Sequence, residues 1–342
     1  MSARLAIWRV LRTPIWAAQL ATSAKSFEKN GLLGSERLNR AGLHRRRVEL
    51  AAASAARRRA RLAGGVPREW LEQFARDGFI LVPDAMPPDS FARLRDQALE
   101  WQAMRRDMVQ GNAVTRRMAV DKAMLSANAE LRAFLTDPQI RAAMRYVAGF
   151  DSEPLHYLQA ILRRAGTTPD PQTALHADTF HSSMKSWLFL TDVAPGGGAF
   201  TYVPGSHRMT PERLAWEERM ALSACNGELD RLSGRGSFRI DDRALAEIGL
   251  PPPRELAVPA NTLVIADTVG FHARGASPPD LCRVEVWSYL RRNPFLPWTG
   301  LDPLSHSAIA AHRVNWLWSA RDRFSKQLGQ PWKPVGRGRI TD

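Results

Sequence analysis

The run from Leu175 to Arg208, LHADTFHSSMKSWLFLTDVAPGGGAFTYVPGSHR, constrains this chain more than any other stretch. It sets His176 and Asp178 on either side of one alanine. An apolar strand, a glycine turn and a second strand closing on PGSHR follow. On a β-strand, residues i and i+2 point to the same face, so an imidazole nitrogen and a carboxylate oxygen aim at one point. That pair is two-thirds of a 2-His-1-carboxylate site, a geometry that leaves positions open on Fe(II). A His-x-Asp pair alone recurs by chance, so its weight comes from the strands around it and from a third ligand.

The chain has 342 residues, of which 44% are apolar, enough for a sizeable core. Cys225 and Cys282 are the only cysteines, which excludes a disulfide framework and a thiolate zinc site and points to a reducing compartment. The net charge of +14 is unevenly placed. Residues 1–61 hold 14 basic against 3 acidic side chains, a net of +11, and the remainder holds 34 against 31, a net of +3. The basic character therefore belongs to the N-terminal segment. Its expected partner is anionic: membrane phospholipid, lipopolysaccharide or nucleic acid. A solvated basic tail is the alternative.

Residues 1–20 carry Leu5, Ile7, Trp8, Leu11, Ile15 and Trp16, interrupted by Arg9, Arg12 and Pro14. The run is too short and too charged to span a bilayer, and its arginines break a signal-peptide core. Tryptophan with arginine suits a membrane interface, while an Arg-rich, acid-poor composition also fits a mitochondrial transit peptide. The expected location is cytoplasmic, peripheral on the inner face of the membrane. Residues 36–63 are helix-prone, with basic knots at Arg45-Arg46-Arg47 and Arg57-Arg58-Arg59, and Gly64-Gly65 ends them. A boundary there divides a basic helical segment, 1–64, from a domain, 65–342.

Pro67 is placed to start a helix and Gly78 to close it, with FILV behind as a strand. Pro88 opens a helix read as reaching about Arg106, and 107–135 reads as irregular apart from a helix near 129–136. From Leu155 the period changes to two: HYLQAILRR, KSWLFLTDV, GAFTYVPGS, RELAVPANTLVIAD and CRVEVWSYL are strands bounded by Gly and Pro turns. With no helices regularly between them, they indicate an antiparallel sandwich or jelly roll rather than a parallel sheet. The expected class is mainly β with flanking helices. The tail beyond Asn293 is expected to wrap the barrel.

A third ligand must come from a later strand. His272, after the apolar run NTLVIAD, stands where such a barrel would bring it to the mouth beside His176 and Asp178. Eleven residues on, Arg283 shares one strand face with Glu285, Trp287 and Tyr289. An inward arginine requires a partner, and a carboxylate provides a bidentate one. The phrases HAD, GAFTYVPGSHR, the later His with its downstream Arg, and the opening EQFARDGFILVPDAMP resemble the phytanoyl-CoA dioxygenase family of Fe(II)/2-oxoglutarate oxygenases. The resemblance spans roughly residues 67–298. It implies a double-stranded β-helix fold (a cupin-like jelly roll), iron held by His176, Asp178 and His272, 2-oxoglutarate bound through its far carboxylate by Arg283, and O2 as the second co-substrate. The implied reaction is hydroxylation of a C–H bond. Related halogenases lack the carboxylate that Asp178 supplies.

Arg274, two after His272, departs from the small polar residue frequent in the family. It is assigned to the co-substrate, to an acidic substrate or to solvent. Gln159 or Tyr157 would provide a further polar contact to the co-substrate. His181 is read as a pocket or surface histidine, and His207 as closing the PGSH turn through hydrogen bonds. Trp187 and Phe189 are read as barrel core. The basic segment favours an anionic, lipid-linked substrate, with the Kdo sugar of lipopolysaccharide as the specific expectation. A small secondary metabolite or acyl-CoA is the alternative substrate, and a non-catalytic binding jelly roll the alternative class. Nucleic acid is disfavoured, because no aromatic-studded basic sheet accompanies the arginine knots.

Overall fold

The computed structural model describes residues 3–163, 168–276, 278 and 282–342, with 3–10 described by backbone alone. The apolar side chains of Leu5, Ile7 and Trp8 thus lie outside the described residues. The strands are β1 (Phe79–Val82), β2 (Ala103–Gln110), β3 (Ala113–Ala119), β4 (Leu155–Arg163), β5 (Met184–Phe189), β6 (Phe200–Tyr202), β7 (Arg254–Leu256), β8 (Leu263–Asp267), β9 (His272–Arg274), β10 (Cys282–Leu290) and β11 (Lys333–Gly338). They form an eight-stranded sheet in the order β1-β8-β5-β10-β4-β3-β2-β11 and a three-stranded sheet β7-β6-β9. Single bridges from His176 to His272 and to Arg239 widen the smaller sheet. All pairings are antiparallel, as the strand pattern implied.

Alternation in β10 divides the core. Val284 and Val286 face the helix-covered side, with Leu158, Leu188 and Met144, while Trp287 faces the inner side with Tyr157, Trp187 and Phe200. Burying each valine stabilises the fold by roughly 1.5–3 kcal/mol relative to exposure. Phe189 and Trp187 both belong to the inner cluster. The helices that cover the outer face are punctuated as the sequence implied. Pro67 precedes the helix Arg68–Asp77, and Gly78 ends it at φ +87°.

Two readings are corrected. The helix from Pro88 stops at Glu100, and residues 103–119 are a β-hairpin rather than irregular chain. Its two-residue loop is Gly111-Asn112, with Gly111 at φ +59°, the signature of a turn that follows strand twist. Arginines along both strands obscured the alternation.

The basic segment is packed on the domain. The helix Leu43–Leu62 lies against Pro138–Ala148 and Pro211–Cys225. Three of the six knot arginines face inward. Arg47 donates to the carbonyls of Leu20, Thr22 and Ala24, and Arg58 to those of Gly149, Pro294 and Leu296. Arg59 reaches Asp267 Oδ2 at 2.6 Å. Arg46 and Arg57 remain exposed. The chain turns at Ala63–Gly65, but the packing continues through it. Among the described residues, no helix is long and apolar enough to cross a membrane.

Candidate active site

The smaller sheet assembles the centre. The backbone N–H groups of His176 and His272 each donate to the other's carbonyl, and Asp178 N–H donates to Thr268 O. These bonds set the two imidazole rings 4.5 Å apart, centre to centre. His176 Nδ1–H donates to Ala174 O (2.8 Å) and His272 Nδ1–H to Gly270 O (2.9 Å). A carbonyl only accepts, so each Nδ1 carries the proton and each Nε2 presents a lone pair. The turn that brings in the Gly270 carbonyl needs glycine, because a Cβ there would overlap the Tyr202 hydroxyl.

The two Nε2 atoms lie 3.8 Å (His176) and 3.7 Å (His272) from Asp178 Oδ1. One ligand atom from each residue fits within 4.8 Å of the others. His272 Nε2 is buried with no hydrogen-bond partner. Burial pulls the His272 imidazole down to about 3 and lowers His176 too, so both are neutral ligands. Burial alone would raise Asp178, but Lys185 and the two histidines hold its carboxyl well below the usual range. Two neutral imidazoles and one carboxylate, with an orphaned buried lone pair, fit a divalent iron ion in a facial triad. His181 is not part of this cluster. Its Nδ1 bonds Ser182 O, and it is buried. His207 does not close its turn: its Nδ1 is buried without a partner and its ring packs on Phe74 at 5.1 Å. Ser206 Oγ, accepting from Phe271 N–H, and Arg208, donating to the Ala75 and Arg76 carbonyls, tie that turn down instead.

The triad opens into a cavity of about 510 Å³ whose lining holds seven basic side chains and one acid, Asp178. Three of the cations have carboxylate partners. Lys185 Nζ is 2.6 Å from Asp178 Oδ2, Arg274 is 2.8 Å from Asp170, and Arg283 is 2.8 Å from Glu285. Arg283 also donates to Gly198 O. The carboxylate beside Arg283 is thus Glu285, two residues along its own strand. Gln159 Nε2 donates to Glu285 Oε1 at 2.6 Å and Gln159 Oε1 accepts from Arg117 at 2.6 Å. Arg274 also reaches Thr115, so it faces the cavity rather than solvent. Trp187 is both core and cavity wall.

Sequence reading missed five of the seven cations, among them Arg291, directly after β10. Lys25 comes from the basic segment, donates to the Asp178 backbone carbonyl and is pulled down to about 8 by burial. Lys185 sits at the start of β5, and its alternation with Trp187 places both inward. Arg117 belongs to the missed hairpin, and Arg321 to the tail helix Arg313–Arg323.

The sequence profile of the phytanoyl-CoA dioxygenase (PhyH) family matches residues 74–233. That match covers 160 of the 342 residues. The PhyH family is one of non-haem iron, 2-oxoglutarate-dependent enzymes, and His176 and Asp178 lie within the matched span. Among solved structures, the chain is similar to the α-ketoglutarate-dependent epimerase SnoN from nogalamycin biosynthesis. The identity is 22% over 72% of this chain and 93% of that one, with a TM-score of 0.45. It is also similar to HygX from Streptomyces hygroscopicus with nickel and 2-oxoglutarate bound, at 19% identity over 66% and 86%, TM-score 0.43. The carbocyclase SnoK from nogalamycin biosynthesis stands at 20% identity over 68% and 85%, TM-score 0.41. No curated protein matches the chain.

Proposed function

We propose that this protein is an Fe(II)/2-oxoglutarate-dependent hydroxylase acting on an anionic, lipid-linked sugar, with the Kdo residue of lipopolysaccharide as favoured substrate. The observation that carries the reading is the His176–Asp178–His272 triad at the base of a cavity with seven cations. With iron and 2-oxoglutarate bound, O2 is reduced at the centre and a C–H bond of the substrate is hydroxylated. This chain's residues do the rest. Ala174 O and Gly270 O hold the imidazole tautomers that donate lone pairs. Lys185 anchors one oxygen of Asp178 and leaves the other toward the histidines. Arg283 is the residue for the far carboxylate of the oxo acid, steadied by Glu285 and Gln159. The aromatic walls Tyr157, Trp187 and Trp287 exclude water from the reacting end.

The lipid-linked part is supported at the cavity mouth. Leu317, Trp318 and Arg321 of the tail helix line the cavity. Trp316, Phe324 and Leu328 stand 55%, 49% and 57% exposed on the same segment, among Arg321, Arg323 and Lys326. Exposed rings beside cations suit an anionic lipid surface.

The test is succinate release from 2-oxoglutarate by protein reconstituted anaerobically with Fe(II), with and without Kdo-bearing lipid A. Iron-dependent succinate that His176→Ala and Asp178→Ala both abolish, with one oxygen atom added to the lipid by mass spectrometry, is the expected result. A wild type that binds neither Fe(II) nor 2-oxoglutarate sinks the reading.

A further inference from the structure

Three of the seven cations that line the cavity are answered by a carboxylate. Lys185, Arg274 and Arg283 each face a carboxylate. Arg117 does not. Its Nε–H donates to the neutral Gln159, and among the described residues no carboxylate forms an ion pair with it. It stands in a cross-strand row, Arg117–Gln159–Glu285, set by the register of β3, β4 and β10. Its guanidinium carbon lies 3.7 Å from the centre of the Trp287 ring, 4.4 Å from Trp332 and 4.9 Å from Tyr157. These three rings come from β10, the tail and β4, so separate elements converge to hold one cation. Burial lowers this arginine to about 10.

The charges around the cavity floor give the same answer. Seven cations line the cavity, and Asp170, Asp178 and Glu285 are the three carboxylates that answer them, which leaves a surplus of four. A divalent metal ion and a dicarboxylate co-substrate cancel one another, so loading the centre leaves the surplus unchanged. A cation in low dielectric without a counterion is costly, and rings answer only part of that cost.

We propose that Arg117 is the receptor for an acidic group of the substrate, a carboxylate or a phosphate, presented by a guanidinium clamped between Trp287 and Trp332. Its Nη atoms supply the two parallel donors that such a group accepts. The rings fix the fork before the ligand arrives, so little rotamer freedom is lost on binding. Arg321, at the mouth, extends the same positive wall outward. The assignment rests on the cavity being the substrate site of the hydroxylase reading above.

The test is titration calorimetry on the full chain loaded with Mn(II) and 2-oxoglutarate, a pair that binds without turning over. The probes are free Kdo for a carboxylate, glucose 1-phosphate for a phosphate, and glucose as the neutral control. At least one acid is expected to bind the wild type while glucose does not, and the acid that binds names the group. Arg117→Gln is expected to weaken it by about 10- to 100-fold, the range of one charge-assisted bidentate contact, with Arg117→Lys between the two. Thermal melting of Arg117→Gln reports that the barrel is folded, and its 2-oxoglutarate affinity is expected to fall less than its acid affinity, because Arg117 reaches Arg283 only through Gln159 and Glu285. Equal acid affinity in wild type and Arg117→Gln, or no acid binding to the wild type, overturns the assignment. Selective loss of 2-oxoglutarate binding in a folded Arg117→Gln overturns it as well, by giving this arginine to the co-substrate. Failure of the wild type to take up Mn(II) and 2-oxoglutarate is a separate reading and strikes the hydroxylase proposal instead.

Discussion

Lys185 Nζ lies 2.6 Å from Asp178 Oδ2, while Asp178 Oδ1 faces the Nε2 atoms of His176 and His272 at 3.8 and 3.7 Å. The carboxylate is divided, with one oxygen tied to the scaffold and the other directed to the centre. Outer-shell partners of this kind orient a ligand without touching the metal. Lys185→Met should leave Asp178 free to turn and should weaken Mn(II) binding, followed by paramagnetic resonance, by about 10- to 100-fold. Unchanged affinity would show that the backbone alone fixes the carboxylate.

Arg283 has a counterion within its own strand, so its side chain is held in place before any ligand binds. Arg283→Gln should raise the 2-oxoglutarate concentration needed for half-maximal succinate release by about 10- to 100-fold. Maximal release at saturation should fall much less. A variant with wild-type dependence on 2-oxoglutarate would remove Arg283 from that role.

Arg58 answers three carbonyls from two distant parts of the chain and stacks on Phe150 at 4.1 Å. Arg58→Ala strands buried acceptors, and about 3 kcal/mol of stability should be lost in urea unfolding. Arg46→Ala, on the exposed side of the same helix, should change stability by less than about 0.5 kcal/mol. Equal effects would mean that the inward and outward arginines do not differ as packed.

Glu153 gives an acid limit. Burial would push its carboxyl up, but His156 and Arg141 outweigh that and hold it at about 2, below its ordinary 4.5. A lowered folded-state value contributes stability that is complete above 4.5 and is lost as pH falls toward 2. That loss amounts to about 3 kcal/mol across the window. Glu153→Gln should lack this component, so its unfolding free energy should fall less than that of wild type between pH 4.5 and 2. Parallel pH profiles would refute the assignment.

The triad was legible because its chemistry is written locally: His176 and Asp178 are two apart, and His272 follows a strand that could only run back beside them. Arg283 was legible for the same reason, though its built-in partner Glu285, on the same strand face, was passed over for the co-substrate. The hairpin 103–119 was hidden by its four arginines, which break apolar alternation: Arg117 faces the polar cavity, and Arg105, Arg106 and Arg116 pair with Asp342, Asp322 and Asp107. Lys25, Arg321 and Trp332 were beyond reach, since no short-range period announces that a terminal segment will fold over a barrel mouth. The arginine knots misled for a related reason. Net charge counts side chains, and Arg47, Arg58 and Arg59 have their charge turned inward onto carbonyls and a carboxylate.

Lys25 and Arg321 stand at opposite ends of the chain and yet share one cavity. In most enzymes the ends are where inheritance is careless: residues drift, segments lengthen or vanish, and little changes. Here a change at either end reaches the chamber itself, leaving the metal-binding centre intact while altering what it is offered. Diversification among descendants of this protein would then begin in segments far from the triad along the sequence, with the chemistry preserved between them.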